Sequence, residues 1–408
     1  MSIALSREPG RPRASTPIAH FALRRLLDAI GKPPITFVLW DGAEIGAEQG
    51  AVARVHVRDP RALWSLLRNP SLGFGEAYAA GGLVVEGDLA HTIEVVFRSS
   101  EHAPGIARYL IDALGARRRR NTRTRSRANV HHHYDLGNEF YARWLDADLV
   151  YTCAYFEDPR LSLEQAQRAK LDHVCRKLRL RSGERVLEAG CGWGALALHM
   201  AENYGVTVQA FNVSSEQIRF ARAAALRRGL RRQVEFIEDD YRSAQGRFDA
   251  FVSVGMLEHV GRSHYASLGA LIEQRLEPDG RGLLHFIGHA RPWRMNPWIE
   301  RNIFPGAYIP ALSEVLPLLE QHGLAVADVE NLRRHYALTL KHWLERFEQQ
   351  SDWVESRYDS RFVRTWRLYL ASSIAAFRSG SCQLFQVLFE RAAGSALPWT
   401  RADLYAER

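Results

Sequence analysis

The stretch Arg185-Val-Leu-Glu-Ala-Gly-Cys-Gly-Trp-Gly194 decides the fold. It reads as an apolar strand ending in an acid, Glu188. Gly190, Gly192 and Gly194 follow on alternate positions, and a helix-forming run opens at Ala195. Glycines at a strand-to-helix turn let a ligand approach the backbone closely, because no Cβ stands in the way. The spacing E-x-G-x-G-x-G is not the G-x-G-x-x-G of dinucleotide-binding proteins and lacks their tight pyrophosphate turn.

Outward from this turn, strand and helix patterns alternate. Strands are expected at Val186–Glu188, Val206–Phe211, Val234–Ile237, Phe248–Val254 and Gly282–Ile287. Helices are expected at Ala195–Tyr204, from Ser215, and at Tyr265–Leu276. Such an order implies an α/β fold with a doubly wound, mostly parallel sheet and ligands at the carboxyl ends of its strands. The Pro- and aromatic-rich segment Pro292–Pro317 interrupts it as a lid or substrate-facing insertion. Amphipathic helices (Trp343–Phe347, Phe362–Phe377) and a strand-like Leu384–Phe389 close the chain. N-terminal to all this, a helix (Phe21–Ile30), strand-like runs (Thr36–Leu39, Val52–Val57), a helix (Pro60–Leu67) and the glycine-punctuated Leu72–Leu89 make a small α+β unit. The expected division is a disordered 1–16, a small domain 17–112, a basic linker 113–128 and a catalytic domain 129–408.

A chain of 408 residues with 46% hydrophobic content suits two packed domains. Its apolar runs fall short of the roughly 18 residues of a membrane span, and Met1–Pro17 has no secretory apolar core. Four scattered cysteines without metal spacing fit a reduced, cytoplasmic protein. Of the net charge of +8, the block Arg117–Arg127 carries seven arginines and no acid. It reads as a solvated arm for an anionic membrane face, for nucleic-acid phosphates, or as an inert linker. The run His131–His133 is no metal site by itself, since consecutive side chains do not converge on one ion.

The glycine turn resembles the nucleoside-binding turn of the class I S-adenosylmethionine (SAM) methyltransferases, a Rossmann-like fold, which implies methyl rather than hydride transfer. Where that superfamily has a ribose-binding acid after the second strand, this chain has the uncharged Asn212. Ser214-Ser-Glu-Gln217 fits a capping box, and Gln217 is equally open to a cofactor contact. Asp239-Asp-Tyr-Arg242 ends the third strand, where Asp240 suits the adenine amino group and Tyr241 its ring.

Four further segments carry a closer resemblance: His133-Tyr-Asp-Leu-Gly-Asn138, Val150-Tyr-Thr-Cys-Ala-Tyr-Phe156, Val254-Gly-Met-Leu-Glu-His-Val-Gly261 and Leu284-His-Phe-Ile-Gly288. With Leu187–Gly194 they resemble the cyclopropane-fatty-acyl-phospholipid synthase family, which includes the mycolic-acid cyclopropane synthases. The likeness runs from about Asn129 to Arg391. Leu72-Gly-Phe-Gly-Glu-Ala-Tyr78 with Gly87-Asp-Leu89 is similar to the N-terminal region of its longer members.

The resemblance implies attack of a cis olefin on the sulfonium methyl of SAM, a carbocation in a lipid pocket, and ring closure with bound bicarbonate as the base. It places Cys153, Glu258, His285 and Tyr336 around the bicarbonate, with the Ile287 backbone. Tyr151 and Thr152 lie at the methionine end of SAM, Glu188, Gly190, Gly192 and Gly194 at the turn, and Asp240, Tyr241 and Arg242 near the adenine. Tyr134, Tyr155 and Phe156 would offer π faces to the cation. Each residue also has a plain structural role open to it: Cys153 as a small buried hydrophobe, Glu258 and His259 as a loop cap, His285 as a core histidine.

The implied partners are unsaturated phospholipids at an anionic membrane surface. The enzyme would sit peripherally on the inner face, docked through the arginine arm and Trp293–Tyr308, with a homodimer open. Relatives that leave a methyl or methylene branch share the same cation and form the alternative. A nucleic-acid methyltransferase is disfavoured, because Asn296-Pro-Trp298 lacks the second proline of the base-amine motif. A non-catalytic lipid carrier is disfavoured by the intact glycines.

Overall fold

The computed structural model describes residues 15–101, 136–393 and 397–405. Residues 1–14 of the N-terminal segment, the whole expected linker 113–128 with its arginine block, His131–His133 and Tyr134 lie outside them. The described residues fall into two compact units. One lies within Met1–Ala116 and takes in Tyr358–Leu368; the other comprises the rest of Arg117–Arg357 and Tyr369–Arg408.

In the first unit, strands β1 (Ile35–Val38), β2 (Glu44–Gly46), β3 (Ala53–Val57) and β4 (Leu83–Glu86) form a sheet in the order β2-β1-β3-β4. Along β3, Ala53, Val55 and Val57 are buried and Arg54 and His56 less so, the period of two of a half-covered strand. The glycine-punctuated stretch, to which no element was assigned, holds most of helix Pro70–Ala79 and β4. Its Gly73 is a packing residue: a Cβ there would stand 1.9 Å from the Ser65 carbonyl oxygen of helix Pro60–Arg68. Asp59 and Asn69 cap the two helices through Ala62 N and Leu72 N. The distant segment is tied in by Arg361, paired with Glu76 at 3.0 Å, and by Arg364, donating to Ala79 O at 2.8 Å.

The second unit is built on seven strands: β5 (Arg185–Ala189), β6 (Thr207–Asn212), β7 (Val234–Glu238), β8 (Phe248–Val254), β9 (Leu276–Gly288), β10 (Leu324–Asn331) and β11 (Gln383–Arg391). Their order is β10-β11-β9-β8-β5-β6-β7. Strands β5 to β9 pair in parallel, and β11 runs antiparallel to both β9 and β10. Alternate residues feed opposite faces: Val186, Ala210, Val252 and Leu283 join one buried cluster, and Leu187, Phe211, Phe251 and Leu284 join another. This is the doubly wound α/β arrangement expected, and its strand order reverses between the parallel β5 and β8.

Two elements differ from the sequence reading. Edge strand β10 was not expected, because only Leu324 is buried, Asp328 and Glu330 occupy its partly covered face, and Ala325, Ala327 and Val329 are exposed. Helix Leu163–Leu178 was also missed. Gln167, Lys170, His173 and Lys177 lie on its buried side and break the apolar stripe. Among the described residues, no helix is long and apolar enough to cross a membrane.

Candidate active site

A pocket opens where β5, β6, β7 and β8 end, lined by Glu188, Asn212, Asp239 and Val254 among others. The three glycines of the turn all have positive φ, but for different reasons. A Cβ on Gly190 would meet Met256 at 2.8 Å, and one on Gly194 would meet the Phe236 ring at 2.6 Å. Around Gly192 a Cβ would meet nothing within 4 Å, and this glycine lines the pocket. Gly192 therefore gives ligand access, while Gly194, which does not line the pocket, lets helix Ala195–Tyr204 pack against β7.

Every other cofactor residue expected from the sequence lines this pocket: Tyr151, Thr152, Glu188, Gly190, Asn212, Gln217, Asp240, Tyr241 and Arg242. Asn212 donates to Gly192 O at 3.1 Å and to Gln217 Oε1 at 2.7 Å, bracing the turn against the following helix. The capping box is only half formed. Ser214 Oγ accepts from Gln217 N at 3.4 Å, but Ser214 N donates to Asn212 Oδ1 rather than to Gln217. The Gln217 side chain is thus turned to Asn212 and the pocket. Asp240 binds the Arg242 guanidinium at 2.6 and 2.7 Å and caps the short turn Tyr241–Ser243, so its carboxylate arrives already paired.

The segment Val150–Thr152 is held from below. Asp146 accepts from Val150 N at 2.8 Å, and Gln167 donates to Thr152 O at 2.9 Å. Lys170 donates to Thr152 Oγ1 at 2.8 Å and lines the pocket opposite Glu188. Since the hydroxyl accepts from an ammonium, its own proton is left to donate elsewhere. Burial lowers Lys170 to about 8 and raises Glu188 to about 8, each opposed by the other's charge. Glu188 Oε2 has no hydrogen-bond partner. Lys170 and Gln167 were absent from the sequence-level site; their signal is polar residues on the inward face of a helix.

The expected chemistry residues form two groups, and none of them is among the residues lining the cofactor pocket. Glu258, buried in the turn after β8, accepts from Ile287 N at 2.6 Å, while its Oε2 has no partner. Burial raises this carboxyl to about 7, against the lowering effect of the Ile287 N–H. His285, two residues before Ile287 and on the same face of β9, is 2% exposed. Its Nδ1 lies 3.0 Å from Gln386 Nε2, and its Nε2 has no partner. Burial, reinforced by the charges of Lys170 and Lys177, holds this imidazole well below its ordinary range, hence neutral.

In the second group Cys153 is fully buried, and burial pushes its thiol far up, so it is not a nucleophilic thiolate. Thr339 joins it to the helix Arg333–Gln349: Thr339 Oγ1 accepts from Ala154 N at 3.0 Å and donates to His335 O at 2.8 Å. Tyr336 lies one turn earlier on that helix, its ring 4.7 Å from Phe377 and 5.9 Å from Trp343. The Trp343 ring lies 5.2 Å from that of Tyr151, whose hydroxyl is 2.8 Å from the Tyr369 hydroxyl. Aromatic surface thus runs from the cofactor end to Tyr336, through residues the sequence reading had not assigned. Of the π faces it had assigned, Tyr155 is stacked with His173 at 4.1 Å and His335 at 4.9 Å, and Phe156 with His342 at 5.6 Å. Imidazoles therefore engage those faces.

The Pro292–Pro317 insertion packs on the Glu258 turn. Tyr308 N donates to Glu258 O at 2.8 Å, and the Phe304 ring meets His259 at 6.1 Å and Tyr369 at 5.6 Å. Trp298 and Ile303 are buried beneath it.

The sequence model of the family described as Mycolic acid cyclopropane synthetase matches residues 121–387, and that of a domain of unknown function matches 22–104. The chain is 37% identical over 383 residues to a protein of Pseudomonas putida named "Probable fatty acid methyltransferase", covering 91% of this chain and 96% of that one. It is 36% identical over 360 residues to the cyclopropane-fatty-acyl-phospholipid synthase of Escherichia coli K12, covering 87% and 92%. The solved structure of mycolic acid cyclopropane synthase CmaA1, complexed with SAH and CTAB, superposes with a TM-score of 0.62 at 29% identity, over 65% of this chain and 98% of that one. With its pocket at the strand ends and its reversed β11, this chain is a SAM-dependent methyltransferase of lipid acyl chains, and it belongs to the mycolic acid cyclopropane synthetase family.

Proposed function

We propose that the protein converts the cis double bond of unsaturated acyl chains in membrane phospholipids into a cyclopropane ring, with bicarbonate bound beside the methyl donor. The observation that carries this reading is the pair of buried polar atoms without partners, Glu258 Oε2, in the turn after β8, and His285 Nε2, on the adjacent strand β9, whose Ile287 N–H holds Glu258. A buried polar atom without a protein partner is completed by water or by a ligand. An acceptor and a donor suit an ion with one O–H and two accepting oxygens. Bound there, bicarbonate would supply the base that takes a proton from the newly added methyl.

The chain's own groups set up that chemistry. Glu258, fixed by Ile287 N–H, accepts and orients; His285, neutral, donates. Cys153 and the aromatic run Tyr151–Trp343–Tyr336 exclude water and present polarisable surface to positive charge. Lys170 and Thr152 hold the polar end of SAM. An anionic membrane surface, met from the cytoplasmic side, is the place of work this reading requires.

The test is incubation of the full chain with methyl-labelled SAM and monounsaturated phospholipid vesicles, with and without bicarbonate. Ring-methylene protons in the NMR spectrum of the product, and a rate that falls when bicarbonate is purged, are expected. A product without ring protons would support the second reading, a methyl- or methylene-branched chain, which the name of the Pseudomonas putida relative favours. Intact mass alone does not separate a cyclopropane from a monoene one carbon longer.

A further inference from the structure

We propose that Gln386 is a positioning residue that holds His285 in the tautomer protonated on Nε2, making that nitrogen a fixed donor into the reaction cavity. The proposal rests on the reading of His285 as a ligand of the bound anion. Gln386 sits directly across from His285 in the antiparallel pairing of β11 with β9. It occupies the apolar run Leu384-Phe-Gln-Val-Leu388 of an interior strand and is 0% exposed. A glutamine so placed pays a desolvation cost that packing alone does not repay.

Among the described residues, the only side chain it bonds is His285. Gln386 Nε2 stands 3.0 Å from His285 Nδ1, and Gln386 Oε1 has no partner. An amide nitrogen has donors and no acceptor, so Nδ1 must accept. A neutral imidazole that accepts at Nδ1 carries its proton on Nε2. That nitrogen is the buried one without a protein partner.

The charged and titratable groups facing this ring are Lys170, Lys177 and His173 of helix Leu163–Leu178 and Glu330 of β10. Both lysines disfavour a second proton on the ring. Glu330 is committed to Lys177 at 2.5 Å and to His173 at 2.8 Å, which leaves the neutral Gln386 to choose the tautomer. A carboxylate in its place would accept from Nδ1–H and strip the donor from Nε2.

The experiment reads the proton directly. Nitrogen NMR of the full chain labelled with 15N-histidine, with His285→Gln to identify the signal, should show a neutral ring protonated on Nε2. A ring protonated on Nδ1, or averaging between tautomers, overturns the proposal, whether or not a Gln386 variant folds.

Gln386→Glu adds a functional reading. The ratio of its product rate to that of the wild type should be about one-tenth or less at pH 8. It should rise as the pH falls and the imidazolium restores the Nε2 donor. A ratio that does not change with pH, with the wild-type ring signal retained in the variant, would make Gln386 merely structural and also overturn the proposal. If wild-type turnover is indifferent to bicarbonate while the ring is protonated on Nε2, the anion reading fails and the tautomer assignment stands.

Discussion

Ile287 N–H donates to Glu258 Oε1 at 2.6 Å, tying the carboxyl end of β9 to the turn that follows β8. One oxygen of the carboxylate is thereby spent on structure and the other is presented, buried and without a partner. Glu258→Gln keeps an acceptor for Ile287 but puts an N–H where an O–H acceptor is needed. Product formation is expected to fall by about 10²-fold or more. Thermal stability should hold or rise, because a neutral amide is less costly to bury than a carboxylate. Turnover within a few-fold of wild type would remove Glu258 from the chemistry.

Glu258 also sets a pH dependence. Its carboxyl is raised from 4.5 to about 7, and it accepts an O–H only when ionised. Activity should therefore climb as the pH passes through about 7, measured with the bicarbonate concentration held equal at each pH. The stability contribution has the opposite sign. A carboxyl that holds its proton more tightly when folded favours the native state at low pH. This is lost as the pH rises from the unfolded value through about 7 for Glu258 and about 8 for Glu188. An activity profile flat from pH 6 to 8 would contradict the assignment.

Gly192 and Gly194 should separate binding from stability. Gly192→Ala places a methyl in open pocket space at φ +53°, and SAM affinity by calorimetry is expected to drop about tenfold or more while the fold survives. Gly194→Ala drives a methyl into the Phe236 ring at φ +89°. A destabilisation of about 2–4 kcal/mol in urea unfolding is expected, from overpacking plus backbone strain. Equal effects of the two on stability would refute the division of labour.

Lys170→Met removes the donor that fixes the Thr152 hydroxyl. SAM binding is expected to weaken by about tenfold, the size of one charge-assisted hydrogen bond. Urea unfolding should show a loss as well, since Glu188 is left buried without the opposing charge. Unaltered SAM affinity would show that Lys170 serves the fold alone.

Local chemistry determined much of this from the chain alone. The turn Glu188–Gly194 reads as a ligand-approach site because glycine spacing and strand-to-helix order are properties of a few consecutive residues. The alternation of strands and helices from Arg185 to Gly288 implies the parallel sheet for the same reason. Of the residues assigned by motif, the cofactor set from Tyr151 to Arg242, Gly194 excepted, lines one pocket, while Cys153, Glu258, His285, Ile287 and Tyr336 are not among its lining residues. Where local patterning was broken, the reading stopped. Helix Leu163–Leu178 was missed because Gln167, Lys170, His173 and Lys177 occupy its inward face, and β10 because Asp328 and Glu330 occupy its covered face while Ala325, Ala327 and Val329 are exposed.

Tertiary structure alone decided which atoms of those residues are spent and which are free. Glu258 and Ile287 are 29 residues apart, and His285 and Gln386 are 101 apart. The geometry that leaves Glu258 Oε2 and His285 Nε2 without partners is created by strand pairing across the sheet. Burial, which raises Glu188 and Glu258 and lowers Lys170, depends on the same packing. No run of sequence carries these properties, because desolvation and hydrogen-bond partnership belong to the space around a side chain and not to its neighbours in the chain.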